Sequence, residues 1–208
     1  MAMSSPRLTG SVHLVRHGLV ENPSGVVYGR LPGYNLSALG VRQAKAAAER
    51  LRDAPVGAIW ASPLERAQET AQEIAVHHDV EVVTDDRLIE SQTTFEGVAR
   101  TLAAMLSARR WWLLRNPMKP TWGESFTEIR ARMVAAIEDA LPTAGGKDLV
   151  VVSHQTPIMV ARLALGRSNL PPWLAREPCT TGSISTFELQ QGAVVSSEYF
   201  APAIASDD

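Results

Sequence analysis

The feature that constrains this chain most is the apolar run Leu149-Val150-Val151-Val152, which stops at Ser153-His154. A run without polar alternation suits a strand buried on both faces, and such strands belong to parallel sheets covered by helices on either side. A second short run, Val12 to Val15, ends in Arg16-His17-Gly18. Gly57–Ala61 and Val80–Val83 read as two further strands.

Helical patterns separate these runs. Ser37 reads as an N-cap, and Val41, Ala44, Ala48 and Leu51 follow at helical spacing, which predicts a helix over about 38–52. Ser62-Pro63-Leu64-Glu65 reads as a capping box with proline at the first helical position, ahead of a stripe of Ala67, Ala71, Ile74 and Ala75. Ser125 with Glu128 forms another box, ahead of Phe126, Ile129, Met133, Ile137 and Leu141. Residues 95–107 read as helical, 109–123 as irregular and Ile158–Leu165 as helical. Ser183–Leu189 and Val194–Phe200 read as a terminal hairpin or edge pair. This alternation predicts an α/β fold: three α/β/α layers around a mostly parallel central sheet. The pattern outlines one domain over about 11–200, with a small cap insertion near 91–124 and tails at 1–10 and 201–208.

Composition narrows the function. The formal net charge of −2 argues against a nucleic-acid partner. Cys179 is the one cysteine, so no intrachain disulfide can form, and a reducing cytoplasm is the expected setting. Met1 to Gly10 has no apolar core of a signal peptide, and no apolar stretch reaches the ~18 residues of a membrane span.

Ligands of open α/β sheets bind beyond the carboxyl ends of the strands. Two expected strands end at histidines, His17 and His154, and a third leads into the helix that carries Arg66. If these strands are parallel neighbours, Arg16, His17, Arg66 and His154 converge on one edge. Guanidinium forks match phosphate oxygens and stay charged. A neutral imidazole can attack phosphorus, and nearby arginines help keep His17 neutral. His154 can donate to an equatorial oxygen as charge develops. Glu90, after the third strand, is a candidate acid for the leaving group if its surroundings raise its pKa. Taken alone, His17 reads as a core histidine and Arg66 as a solvated helix residue, so the reading rests on their meeting. It requires the His17 ring to lie within a phosphate's width of its partners and to keep contact with solvent.

The motifs Leu14-Val15-Arg16-His17-Gly18, Gly29-Arg30, Leu36-Ser37-Ala38-Leu39-Gly40 with Gln43-Ala44, and Ala61-Ser62-Pro63-Leu64-Glu65-Arg66-Ala67-Gln68-Glu69-Thr70 follow in order. Leu88-Ile89-Glu90, Gly123-Glu124-Ser125 and Val152-Ser153-His154 complete the set, which spans about Val12 to Leu165. The chain thereby resembles the histidine phosphatase superfamily, which includes the cofactor-dependent phosphoglycerate mutases. The resemblance implies that His17 is the nucleophile, that Arg16, Arg66 and His154 form the phosphate pocket, that Glu90 is the proton donor, and that neither metal nor other cofactor is needed. Three positions depart from the family pattern. Leu19 stands where Glu or Gln is frequent. Asn22, the resemblance's candidate for a phosphate-binding asparagine, sits one position early, with Pro23 in the usual place. Gln155-Thr156-Pro157 follows the second histidine where glycine is common, so Gln155 adds a polar side chain near the phosphate.

From Gly97 to Gly123 there is no acidic residue, while Arg100, Arg109, Arg110, Arg115 and Lys119 alternate with Trp111, Trp112 and Trp122. Two readings stand open. In one, Arg109, Arg110, Trp111 and Arg115 belong to a cap that draws in a substrate with a second anionic group. In the other, the tryptophans are core or homodimer contacts and the charges are solvated.

The expected partner is a small phosphorylated metabolite, hydrolysed as a phosphomonoester through a phosphohistidine. The rival is a phosphoglycerate mutase, which returns the phosphoryl group to another hydroxyl. The length of the chain and Gly29-Arg30-Leu31-Pro32 favour the phosphatases. A non-catalytic phospholigand module fits less well with both arginines, both histidines and Glu90 retained. A metal-dependent hydrolase would show a pattern such as His-Glu-x-x-His, and a serine hydrolase a Gly-x-Ser-x-Gly elbow; neither is present.

Overall fold

A computed structural model describes residues 10–105, 123–166, 168 and 178–204. Its elements, in order, are β1 (Gly10–Arg16), α1 (Ala38–Leu51), β2 (Val56–Ala61), α2 (Glu65–Ala75), β3 (Val82–Thr84), the single turn α3 (Leu102–Met105), α4 (Phe126–Ala140), β4 (Asp148–Ser153), α5 (Gln155–Leu165), β5 (Ile184–Gln190) and β6 (Ala193–Phe200). One six-stranded sheet runs β3-β2-β4-β1-β5-β6. The first four strands are parallel, and β5 and β6 extend the sheet antiparallel to β1. The mostly parallel sheet of the sequence reading is therefore present.

All six residues of β4 are buried, and its side chains divide between the two faces of the sheet. Leu149 and Val151 join Val12 and Leu14 against Ile129, Met133 and Ile137 of α4 and Ile158 of α5. Val150 and Val152 join Val15, Ile59 and Ala61 against Ala47 and Leu51 of α1 and Ala71 and Ile74 of α2. Each aliphatic side chain so buried contributes about 1.5–3 kcal/mol. That two-sided burial is why the run lacks polar alternation.

Local signals hold in several places. Ser37 accepts from Gly40 N–H at 3.1 Å and caps α1. Ser125 and Glu128 form the expected capping box of α4. β5 and β6 are joined through Gln191 and Gly192, both at positive φ (52° and 76°). That backbone suits a tight hairpin turn, whose twist matches the flanking strands.

Three expectations change. Ser62 does not cap α2: the helix starts at Glu65 behind Leu64, which supplies no side-chain cap. The helix α5 starts at Gln155, three residues earlier than expected, so His154 occupies its N-cap position. Of residues 95–107, only Leu102–Met105 are helical among those described. The backbone at 97–100 instead bonds to the loop around Val27: Gly97 N–H to Val27 O (2.9 Å), Val27 N–H to Val98 O (2.8 Å) and Arg100 N–H to Gly25 O (2.8 Å). Thr93 bridges Gly123.

Candidate active site

The register of β1 on β4 sets the floor of the site. Arg16 lies opposite Ser153, so the chains continue side by side into His17 and His154. His17 N–H donates to Ser153 O at 3.1 Å. The two rings stand 5.0 Å apart, centre to centre, at 56°. Strand β2, on the other side of β4, brings in Ser62, whose N–H bonds Val152 O at 3.0 Å. Three strand ends remote in sequence thus deliver His17, His154 and Ser62 to one spot.

His17 Nδ1 lies 2.7 Å from the carbonyl oxygen of Gly18. A carbonyl only accepts, so Nδ1 carries the proton and Nε2 keeps its lone pair. Nε2 has no hydrogen-bond partner among the described residues. Burial first, then the charges of Arg66 and Arg16, hold the His17 pKa well below its usual value. His154 is lowered in the same direction by burial, by His17 and by the same two arginines. Both rings are therefore neutral near pH 7.

The cations flank this pair. Arg66, in the first turn of α2, is fully buried; its Nη2 donates to Gly29 O at 2.6 Å and its guanidinium lies 4.9 Å from the centre of the Tyr28 ring. Arg16 Nη1 donates to Cys179 O at 2.5 Å. Arg16 Nε, Arg66 Nε and Nη1, and His154 Nδ1 are buried without a hydrogen-bond partner. Buried polar atoms are nearly always paired. Four unpaired nitrogens on three adjacent residues mark a place suited to a ligand with several acceptor oxygens.

A cavity of about 440 Å³ opens beside them, lined by Arg16, Tyr28, Gly29, Glu90, Phe95, Arg100, Phe126 and Gln155, among others. The two imidazoles stand as close together as the sequence reading requires. The contact with solvent that it also requires is not met by the ring: His17 is 1% exposed, and Arg66 and His154 are 0%; what supports the reading from here is the meeting of these groups and their unpaired nitrogens. Neither ring is part of the cavity wall. Arg16 and Glu90 form the part of the constellation that reaches the cavity.

Glu90 follows β3 and a single 3-10 turn at Asp86–Leu88. Its carboxylate accepts from Ser91 N–H (2.7 Å) and Ser91 Oγ (3.2 Å). Burial raises its pKa, opposed by the Ser91 bonds, Arg16 and Arg66. Its loop is fastened from three sides: Ser153 Oγ to Leu88 O (2.7 Å), Arg132 Nη1 to Arg87 O (2.5 Å) and Arg30 Nε to Glu90 O (2.7 Å). Glu124 joins these clamps by accepting from both Arg30 (3.0 Å) and Arg132 (2.7 Å).

The sequence reading assigned no role to Arg30, Glu124, Thr70 or Gly40, although each stands in one of the ordered motifs. Thr70 Oγ1 donates to Arg66 O (2.7 Å) and accepts from Gly18 N–H (3.2 Å), so one hydroxyl joins the Arg66 helix to the His17 loop. Gly18 and Gly40 meet backbone to backbone: a Cβ on Gly18 would overlap the Gly40 carbonyl, and one on Gly40 would overlap Leu19 O. Gly40→Ala is therefore expected to destabilise the fold by roughly 1–3 kcal/mol, read as a fall in midpoint by urea denaturation, and to lower turnover by shifting the His17 loop.

Other expected site residues fall as follows. Gln155 lines the cavity. Asn22 does not: its Nδ2 donates to Val26 O (3.0 Å) and its Oδ1 accepts from Val26 N–H (3.3 Å). With Gly25 N–H on Asn22 O and Gly25 at φ 58°, the asparagine shapes a turn instead of meeting a phosphate. Leu19 is 40% exposed, and it too is absent from the cavity wall. Arg109, Arg110, Trp111 and Arg115 lie outside the described residues. Among the described residues no cluster of three or more His, Cys, Asp or Glu is placed to hold a metal ion, and no helix is long and apolar enough to cross a membrane.

The chain resembles several known proteins. It is 45% identical over 194 residues to the uncharacterized protein Rv0525 of Mycobacterium tuberculosis, covering 92% of this chain and 96% of the relative. It is 33% identical over 159 residues to phosphoserine phosphatase 1 of Hydrogenobacter thermophilus, covering 73% and 74% of the two chains. The solved structure of the mycobacterial glucosyl-3-phosphoglycerate phosphatase Rv2419c superposes with a TM-score of 0.69 at 28% identity, covering 85% of this chain and 89% of that one. The family model of the histidine phosphatase superfamily, branch 1, matches residues 12–201. The chain belongs to the histidine phosphatase superfamily.

Proposed function

We propose that this protein is a metal-independent phosphomonoesterase that acts on a small phosphorylated metabolite through a phosphohistidine at His17. The supporting observation is the set of four unpaired buried nitrogens on Arg16, Arg66 and His154 beside a His17 whose Nε2 is a free lone pair. The Nε2 lone pair attacks phosphorus while the bond to the ester oxygen breaks. The departing oxygen takes the proton of Glu90. Water then attacks phosphorus, the Glu90 carboxylate takes a proton from it, and the N–P bond breaks to return neutral His17 and inorganic phosphate. Arg16, Arg66 and His154 meet the equatorial oxygens, where each well-placed donor is worth roughly 3–4 kcal/mol in the transition state. A reducing cytosol suits the buried free thiol of Cys179.

A phosphoester panel tests the reading. Inorganic phosphate should be released in the presence of a chelator and without a bisphosphoglycerate primer. Primer-dependent interconversion of phosphoglycerates with little phosphate release would favour a mutase. Loss of activity with the chelator would contradict the metal-free mechanism.

The cavity supports a substrate with a second anionic group. Arg100, exposed, lines the wall beside Tyr28, Phe95 and Phe126, and Arg109, Arg110 and Arg115 follow it in sequence. Phosphoserine, on which one relative is named as acting, carries such a group as a carboxylate. Arg100→Ala should raise KM roughly 10-fold for phosphoesters bearing a carboxylate and leave KM for p-nitrophenyl phosphate unchanged. Neutralising Arg109, Arg110 and Arg115 together should raise it further. Equal shifts for both substrate types would remove the second-anion reading.

A further inference from the structure

The sequence pattern around Ser62 is that of a helix cap, yet the structure gives its hydroxyl to His154. Ser62 Oγ and His154 Nε2 are 2.7 Å apart, and both residues are 0% exposed. The other contact of this oxygen is the N–H of Leu64 at 3.4 Å, which it accepts.

Two proton arrangements satisfy the 2.7 Å contact. If Nε2–H donates, the serine proton has no acceptor among the described residues. In that case Nδ1 is a bare lone pair in a pocket with two guanidinium groups, yet neither reaches it, since Nδ1 has no partner. If Ser62 donates, its one proton goes to Nε2, its oxygen still accepts from Leu64, and His154 carries its proton on Nδ1. Nδ1–H then joins the unpaired N–H groups of Arg16 and Arg66, so that all four buried nitrogens offer a proton to the same anion. The second arrangement gives the serine proton an acceptor, which the first does not, and leaves Nδ1–H, like the unpaired N–H groups of Arg16 and Arg66, to be met by the anion.

We infer that Ser62 is a positioning residue, whose hydroxyl donates to His154 Nε2 and thereby holds the proton of the neutral ring on Nδ1 for a phosphoryl oxygen. This rests on the phosphomonoesterase reading only for the use made of that proton; the tautomer belongs to the resting protein. The partner of one imidazole nitrogen selects the protonation of the other. Without the serine, the ring is free to take the Nε2–H form, which has nothing to donate to the phosphate from Nδ1.

Histidine-labelled ¹⁵N NMR of the resting protein, with His154→Gln to identify the signals, reads the tautomer directly. Wild type should show His154 with a protonated Nδ1 and a bare Nε2. Ser62→Ala should populate the Nε2–H form and lower kcat about 10- to 100-fold, with KM within about twofold of wild type. Ser62→Thr, which keeps the hydroxyl, should restore both the spectrum and kcat. A proton on Nε2 in wild type would overturn the inference, and so would a Ser62→Ala variant that loses kcat with an unchanged tautomer or keeps kcat. If Ser62→Ala does not fold, the wild-type spectrum and the threonine variant still decide. Because the spectrum needs no turnover, an inactive wild type with the Nδ1–H tautomer would count against the phosphatase reading and leave this assignment standing.

Discussion

Replacing His17 with alanine is expected to lower phosphomonoester turnover by roughly 10⁴- to 10⁶-fold, as loss of a covalent nucleophile does in other enzymes. The expected cause is chemical, since among the described residues the ring makes one side-chain hydrogen bond, to Gly18 O. Circular dichroism and the urea midpoint should show a folded protein. Phosphate binding should survive, because Arg16, Arg66 and His154 remain. The measurement is steady-state phosphate release beside equilibrium binding of inorganic phosphate. A variant that turns over within tenfold of wild type would remove His17 from the mechanism.

Glu90→Gln should have the second largest effect. Loss of the proton donor is expected to reduce kcat about 10²- to 10⁴-fold for alkyl phosphates. The reduction should be much smaller for p-nitrophenyl phosphate in the phosphorylation step, since nitrophenolate leaves without a proton. The pH dependence has a definite sign. Burial raises the Glu90 pKa, and the donor form is the protonated one. Activity on alkyl phosphates should therefore fall as pH rises through that raised value, and the glutamine variant should lack this limb. His17 titrates well below its ordinary value, so its ring stays neutral, with Nε2 bare, through neutral pH and contributes loss only at the acid end. A Glu90→Gln profile with the same alkaline limb as wild type would assign that limb to another group.

The relation between sequence and structure differs from residue to residue. The runs ending at His17 and His154 were readable because two-sided burial leaves an unbroken apolar pattern, and their adjacency follows from parallel pairing of β1 with β4. The caps at Ser37 and Ser125 were readable because capping is decided within a few residues. Ser62 carried an equally good local signal and was misread, since a buried imidazole from a neighbouring strand takes its hydroxyl. Arg30 and Glu124 bear the same lesson. Arg30 reaches the Glu90 carbonyl across 60 positions of sequence and pairs with Glu124 across 94, which no local pattern encodes. Asn22 was a phosphate-binding candidate only through its nearness to the family's asparagine position, while its amide is engaged by the Val26 backbone of its own turn.

The most direct test of the account is to trap the phosphoryl group on the enzyme. Wild type is mixed with excess substrate, quenched in alkali, where phosphohistidine survives, digested, and read by mass spectrometry. One phosphoryl group should be found on the peptide containing His17, and when the substrate carries an isotopic label the label on that peptide should be lost on chasing with unlabelled substrate at the rate of turnover. Turnover with no adduct on that peptide, or an adduct on a different side chain that chases at the turnover rate, would contradict it.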